Sequence, residues 1–294
     1  VSAVGVIGVG AMGLGVAQAL LAKGFTVFVR DIVPGRQDAA VASGAVGCAS
    51  PLEVARRAPL VITLVVDAPQ TGTVLFGAQG AATVLTPAST VMMCSTIAPG
   101  DAESLARRLE ALGVGMLDAP ISGGPARARA GTLSVMAAGG GATFERCRPV
   151  LDAMAAKCFR VGAQAGDGSR MKVVNNMLAA ANLAAGCEAM AAAAKLGLDL
   201  RQVLDVVNAS SGASWIVADR MPRALEGDYE PRAAARVLTK DIGLFVDAAR
   251  SLGLDVPMAE CARRIFLDTV ERGFGEEDDA AVLKRYTEAF TRGR

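Results

Sequence analysis

Residues 3 to about 162 alternate short apolar runs, rich in β-branched side chains, with longer amphipathic stretches. Short apolar runs bounded by turn residues fit strands, and a 3.6-residue period closed by glycine fits a helix. The pattern predicts strands over 4–7, 26–30, 60–66, 90–95, 115–118, 133–137 and 158–161, and helices over 12–23 and 101–112 ended by Gly24 and Gly113. Strands and helices in strict alternation predict a doubly wound α/β sheet. After Gly162 the pattern changes: no convincing strand follows Ser169, and Ala, Leu and Met dominate. The expected organisation is therefore an α/β domain over 1–163 and an all-α domain over 164–294. The second opens with one helix from Ser169 to Lys195, closed by Gly197 and about 40 Å long. Such a helix can join two domains and carry side chains into the cleft between them.

The first strand–helix junction carries Gly8-Val9-Gly10-Ala11-Met12-Gly13. In this context the first glycine permits a tight turn and the second lets a pyrophosphate approach the backbone. The third lets helix and strand pack closely, with the helix N-terminus facing the anion. This marks a Rossmann-type dinucleotide-binding domain. Asp31 follows the second strand, 23 residues after Gly8, where an acid binds the adenosine ribose. A carboxylate there favours two hydroxyls and repels a 2′-phosphate, so NAD is expected over NADP. Arg30 pulls the other way, because a guanidinium at this edge can stack on adenine or hold a phosphate.

Composition removes whole classes of chemistry. There is no histidine, which excludes Ser-His-Asp and Cys-His catalysis and histidine-based metal sites. Proton transfer would have to use Lys, Asp, Glu, Tyr or Cys. Neither Tyr229 nor Tyr286 has a lysine four residues on, and the lysines are only Lys23, Lys157, Lys172, Lys195, Lys240 and Lys284. The six cysteines show no C-x-x-C spacing, so reduced, mostly buried thiols and no metal centre are expected. A net charge of +1 gives no pull toward nucleic acid or an acidic membrane. The weakly polar stretch 177–194, broken by Asn182 and Glu188, is expected to be a buried helix, not a membrane span. The chain opens on a strand-like run without a basic leader, and a cytoplasmic location is expected.

Two further segments bear on a substrate. Asp118-Ala-Pro-Ile-Ser122-Gly123-Gly124 follows a strand and offers a hydroxyl and two unhindered N–H groups to a carboxylate, or is a plain turn. Gly168 to Asn176 places Lys172 and Asn176 four apart on one helix face, able to polarise and orient a carbonyl. On spacing alone, Lys172 could equally be a solvated lysine.

Taken in order with Cys94-Ser95-Thr96-Ile97 and Lys240-Asp241, these motifs resemble the β-hydroxyacid dehydrogenases, the 3-hydroxyisobutyrate dehydrogenase family, from Val4 to about Lys284. The resemblance implies NAD-dependent oxidation of a small hydroxy acid with Lys172 as general acid/base. It implies that Ser122, Gly123, Gly124, Asn176 and Lys240 hold the substrate. Cofactor contacts would come from Gly8, Val9, Gly10, Ala11, Met12, Gly13, Arg30, Asp31, Val65, Val66, Gln70, Thr96 and Lys240, with Asp241 fixing the helix that bears Lys240. Cys94 departs from the family's usual Ser, and Val65-Val66 from its Leu-Pro, which changes the side chains of that cofactor loop. Segments 75–80, 214–215 and 275–279 look most like members acting on L-threonate, so L-threonate or a similar short sugar acid is the expected substrate. A homodimer or homotetramer is the expected assembly. Two other readings stand beside this one: a reductase of another carbonyl or an imine, against which the lysine at 172 speaks, and a nucleotide sensor without turnover, against which the intact motifs speak.

Overall fold

The computed structural model describes residues 2–286. The chain forms two compact units, Val1–Lys172 and Val173–Arg294. In the first, the elements run β1 (Ala3–Ile7), α1 (Ala11–Ala22), β2 (Thr26–Arg30), α2 (Pro34–Ala42), β3 (Val46–Gly47), α3 (Pro51–Arg57), β4 (Leu60–Thr63) and α4 (Ala68–Phe76). They continue through β5 (Thr90–Met93), α5 (Pro99–Glu110), β6 (Gly115–Asp118), β7 (Ile121–Ser122), α6 (Gly124–Arg129), β8 (Leu133–Ala138), α7 (Gly141–Met154) and β9 (Ala155–Gly162).

Strands β3-β2-β1-β4-β5-β6 lie side by side, all parallel. The order 3-2-1-4-5-6, which reverses its winding between β1 and β4, is the Rossmann arrangement, and ligands bind beyond the carboxyl ends of strands at that reversal. β8 pairs antiparallel with β6 and β7, and β9 pairs parallel with β8. Side chains divide between the sheet faces with a period of two. Val4, Val6, Leu60, Ile62, Met92 and Leu117 enter one core, and Ile7, Val61, Val91, Met93 and Met116 the other. At Gly5 a Cβ would stand 2.3 Å from Val54, so α3 rides on bare backbone.

The predicted alternation is present, with three differences. β4 and β5 end at Thr63 and Met93, earlier than the apolar runs themselves, because the chain leaves the sheet there to form loops at its carboxyl edge. β3 and β7, of two residues each, are too short to show a period. β9 begins at Ala155, ahead of the predicted 158–161, and residues 157–160 are all exposed, so no buried alternation marks it.

α8 (Asp167–Lys195) is one continuous helix of 29 residues, about 43 Å at 1.5 Å per residue. The expectation of a buried helix over 177–194 is corrected here, since only 39% of its most apolar window is buried. By length and composition alone this helix could cross a membrane. The second unit continues with α9 (Leu200–Asn208), α10 (Trp215–Leu225), α11 (Ala235–Ser251) and α12 (Pro257–Thr269). Its core joins Leu183, Cys187 and Met190 of α8 to Leu204, Met221, Ile242 and Phe266. Among the described residues its only strand-like pairing is the bridge between Ala234 and Asp278.

Candidate active site

The Gly8–Gly13 loop has the shape its sequence requires. Gly8 adopts φ +93°, and a Cβ there would stand 2.6 Å from the Leu64 carbonyl oxygen. At Gly13 a Cβ would fall 1.9 Å from the Gly8 carbonyl oxygen, so α1 can start only with glycine at this point. Gly10 is different: its φ is −63°, and apart from one Arg36 nitrogen at 4.0 Å, nothing lies where its Cβ would stand. The two outer glycines thus close the loop while the middle one leaves open space above the backbone. Helix α1 begins at Ala11 with no side-chain cap and no acid in its first turn. The first N–H groups of a helix have no partner within it. Ala11, Met12 and Gly13 therefore offer donors toward that space. The residues fit a dinucleotide pyrophosphate.

Asp31 is buried at the end of β2. Its Oδ2 accepts the Val9 N–H at 2.8 Å and its Oδ1 accepts the Val33 N–H at 2.9 Å. Each oxygen retains a lone pair for a ribose hydroxyl. Arg30 extends to Gln37, with Nη1 3.4 Å from Oε1, and the same Oε1 accepts the Asp31 N–H at 3.1 Å.

Val65, Val66 and Thr96 lie just past the carboxyl ends of β4 and β5, the edge on which the Gly8 loop also sits. Val65 Cγ1 comes within 3.1 Å of the Cβ position of Gly8. Gln70, expected to contact cofactor, is engaged with the protein: its Oε1 accepts the Val66 N–H at 3.2 Å while its own N–H donates to Asp67 at 2.8 Å. Cys94 is buried, and desolvation pushes its thiol well above the ordinary cysteine range, so it stays protonated. The described cysteines are all free, four buried and Cys158 and Cys261 exposed.

The loop after β6 and the start of α8 are fastened together twice. Asp118, fully buried, accepts the Gly166 N–H at 2.8 Å, the Ser169 N–H at 2.9 Å and the Ser169 hydroxyl at 2.9 Å. Burial raises its pKa, and the bonds from Ser169 and Gly166 work against that rise. Gly168 fits beneath this clamp because a Cβ would stand 2.6 Å from the Asp118 carbonyl oxygen. One turn further along α8, Lys172 is buried and its Nζ donates to the Ile121 carbonyl oxygen at 2.8 Å. Lys172 thus lies against the Ser122-Gly123-Gly124 segment, where Gly123 and Gly124 adopt φ +132° and +76°. The solvated-lysine alternative is excluded by its 7% exposure.

In the second unit, Asp241 joins two of the expected residues. The Asn176 Nδ2 donates to Asp241 Oδ2 at 2.7 Å, and the Lys240 Nζ donates to Asp241 Oδ1 at 2.5 Å. Asn175 donates to the Asn176 Oδ1 at 3.0 Å, which sets the amide's orientation.

Comparison with known proteins agrees with this geometry. The family model for the NAD binding domain of 6-phosphogluconate dehydrogenase matches residues 3–162. The model described as NAD-binding of NADP-dependent 3-hydroxyisobutyrate dehydrogenase matches residues 166–286. L-threonate dehydrogenase from Cupriavidus necator is 44% identical over 281 residues, covering 96% of this chain and 95% of that protein. The chain belongs to the 3-hydroxyisobutyrate dehydrogenase family. L-threonate dehydrogenase from Escherichia coli K12 is 39% identical, covering 97% of this chain and 94% of its own length. Among solved structures, 3-hydroxyisobutyrate dehydrogenase from Salmonella typhimurium superposes with a TM-score of 0.90 at 41% identity, covering 96% of this chain and 99% of that one. Like its family, the protein is a NAD-binding hydroxyacid dehydrogenase.

Within this dehydrogenase frame, two connections escape sequence reasoning. Asp118 stands inside a recognised motif, yet its bond to Ser169 spans 51 residues. The Asn176–Asp241 bond spans 65. Neither has a local pattern. The only signal for Asp118 is a carboxylate as the last residue of an apolar strand, which cannot be buried without donors.

Proposed function

We propose that the protein oxidises a short hydroxy acid, L-threonate or a sugar acid of similar size, in the cytoplasm as a homodimer or homotetramer. Residues 1–163 hold the dinucleotide, and 164–294 serve substrate and assembly. NAD supplies the hydride acceptor when bound. Asp31, a carboxylate at the ribose edge, supports NAD over NADP. The observation that carries the reading is Lys172, a buried lysine bonded to the Ile121 carbonyl within the Asp118–Gly124 loop, in a chain without histidine.

The Ser122 hydroxyl and the N–H groups of Gly123 and Gly124 bind the substrate carboxylate. Lys172 Nζ takes the proton of the reacting hydroxyl as its carbon gives up hydride, and returns one in the reverse direction. Asn176 follows one helical turn later on α8 and orients the substrate, its amide fixed by Asn175 and Asp241. Lys240, held by Asp241, closes over the bound molecules. The L-threonate assignment rests on similarity to the L-threonate dehydrogenases; the name of the Salmonella structure makes 3-hydroxyisobutyrate the second candidate.

The test is NADH formation across L-threonate, D-threonate, glycerate, tartrate and 3-hydroxyisobutyrate. L-threonate is expected to give the highest kcat/KM, and turnover of none of these acids would overturn the reading. Lys172→Ala should lower kcat by about 10²- to 10⁴-fold, the usual contribution of general acid–base catalysis. Lys172→Arg should recover little, because a guanidinium cannot act as a base near neutral pH. Asn176→Ala should lower kcat/KM while part of the turnover survives. Retention of more than about a tenth of kcat in Lys172→Ala would remove it from its role.

A further inference from the structure

The pyrophosphate of a dinucleotide brings two negative charges to the Gly8–Gly13 loop. The groups the loop itself presents are neutral N–H donors, and the nearest carboxylate, Asp31, has the wrong sign. Arg36, in the first turn of α2, supplies a cation. Its Nη1 lies 4.0 Å from the point at which a Cβ on Gly10 would stand, and no other heavy atom outside the glycine's chain neighbours and the α1 backbone comes as near. The guanidinium therefore borders the open space that the middle glycine leaves. Arg36 is exposed, and among the described residues its side chain takes part in no ion pair or hydrogen bond. A charge already committed to a neighbour would have to be released before it could meet a ligand; this one is not.

Its placement is built. Asp31 holds the Val9 N–H of the loop with one oxygen and the Val33 N–H, just before α2, with the other. One carboxylate thus fixes the start of α2 relative to the dinucleotide loop. Gln37 adds a second tie, accepting the Asp31 N–H and donating to the Cys48 carbonyl at 3.3 Å. Arg30, by contrast, is directed to Gln37.

We infer that Arg36 is a phosphate clamp of the cofactor site, its guanidinium folding over Gly10 to pair with the pyrophosphate common to NAD and NADP. The inference rests on dinucleotide binding and is independent of which acid is oxidised. Paired N–H donors suit two phosphate oxygens better than a lysine's point charge does.

The test is binding, by fluorescence titration with NADH and NADPH and by calorimetry with ADP-ribose, for the whole protein and for Arg36→Ala and Arg36→Lys. Arg36→Ala should weaken all three ligands by about tenfold or more in dilute buffer, as expected for a charge-assisted pair. The deficit should shrink in about 1 M salt, where exposed charges are screened. Arg36→Lys should recover part of the affinity. Thermal unfolding of the variants should match the parent, since the side chain holds nothing in the fold. An Arg36→Ala loss confined to NADPH would make Arg36 a 2′-phosphate ligand and overturn the clamp, as would unchanged affinity for all three. Failure of the unaltered protein to bind NADH would overturn dinucleotide binding itself, an outcome distinct from either.

Discussion

Gly10 and Gly13 stand three residues apart, yet a methyl group on each would meet different surroundings. At Gly13 it would lie 1.9 Å from a carbonyl oxygen, and at Gly10 in open space with φ already at −63°. Gly13→Ala must push α1 away from β1, an overpacking strain of about 1–3 kcal/mol. Gly10→Ala strains nothing and fills the room a pyrophosphate needs. Thermal melts with and without NADH should therefore show Gly13→Ala with a lowered Tm in both conditions. Gly10→Ala should keep the parent Tm without ligand and lose the stabilisation by NADH. Equal behaviour of the two variants would refute this division of labour. The glycine pattern is legible in sequence because two of its requirements are local: the positive φ of Gly8 and the contact of Gly13 with the Gly8 carbonyl. Arg36 is not legible, because its approach to Gly10 depends on how Asp31 seats the start of α2. Gln70, expected at the cofactor, also accepts the Val66 N–H, a bond no spacing reveals.

Among elements, the junction of β6 with α8 decides where Lys172 stands. Three donors converge on the Asp118 carboxylate, all from the three residues on either side of the α8 start. Asp118→Asn keeps the shape but loses the charge and one acceptor: with its oxygen on the two N–H groups, its NH₂ faces the Ser169 hydroxyl, whose hydrogen loses its acceptor. An unsatisfied buried donor costs about 1–3 kcal/mol. Ser169→Ala removes only one of the three bonds and should be milder. Both variants should lower kcat more than they alter NADH binding, because α8 carries Lys172 while the glycine loop lies at the end of β1. Denaturation in urea together with steady-state kinetics checks this, and an Asp118→Asn enzyme of parental kcat would show that the clamp does not position the lysine. Strands β1, β4, β5 and β6 could be read in advance because nearly all their residues are buried, and β2 because its burial alternates. β3 and β7 could not, lacking length, and neither could the early start of β9, which no burial marks. The uninterrupted run of α8 was foreseeable from its composition; which of its faces is covered was not, since apolar residues surround it.

At the scale of the whole molecule, that same helix leaves apolar surface uncovered. Met171, Val174 and Leu178 recur at helical spacing along α8 and are 46%, 48% and 54% exposed. Apolar side chains left exposed together along one helix suit association with a partner. A second copy of this chain is the occupant we propose, because a net charge of +1 opposes self-association little. The same helix commits Lys172 and Asn176 to hydrogen bonds inside the protein, which a lipid-facing helix would strand. Light scattering after size exclusion should then give two or four times the 29.9 kDa chain mass. Leu178→Arg, at an exposed position, should leave the single chain folded and reduce that mass to one copy, because an unpaired guanidinium cannot be buried in an apolar interface. NADH binding should persist in the separated chain, since the glycine loop belongs to the first unit. A parent protein that already runs as one copy at micromolar concentration would refute the assembly. A multiple of the chain mass that survives Leu178→Arg would place the interface on another surface than α8.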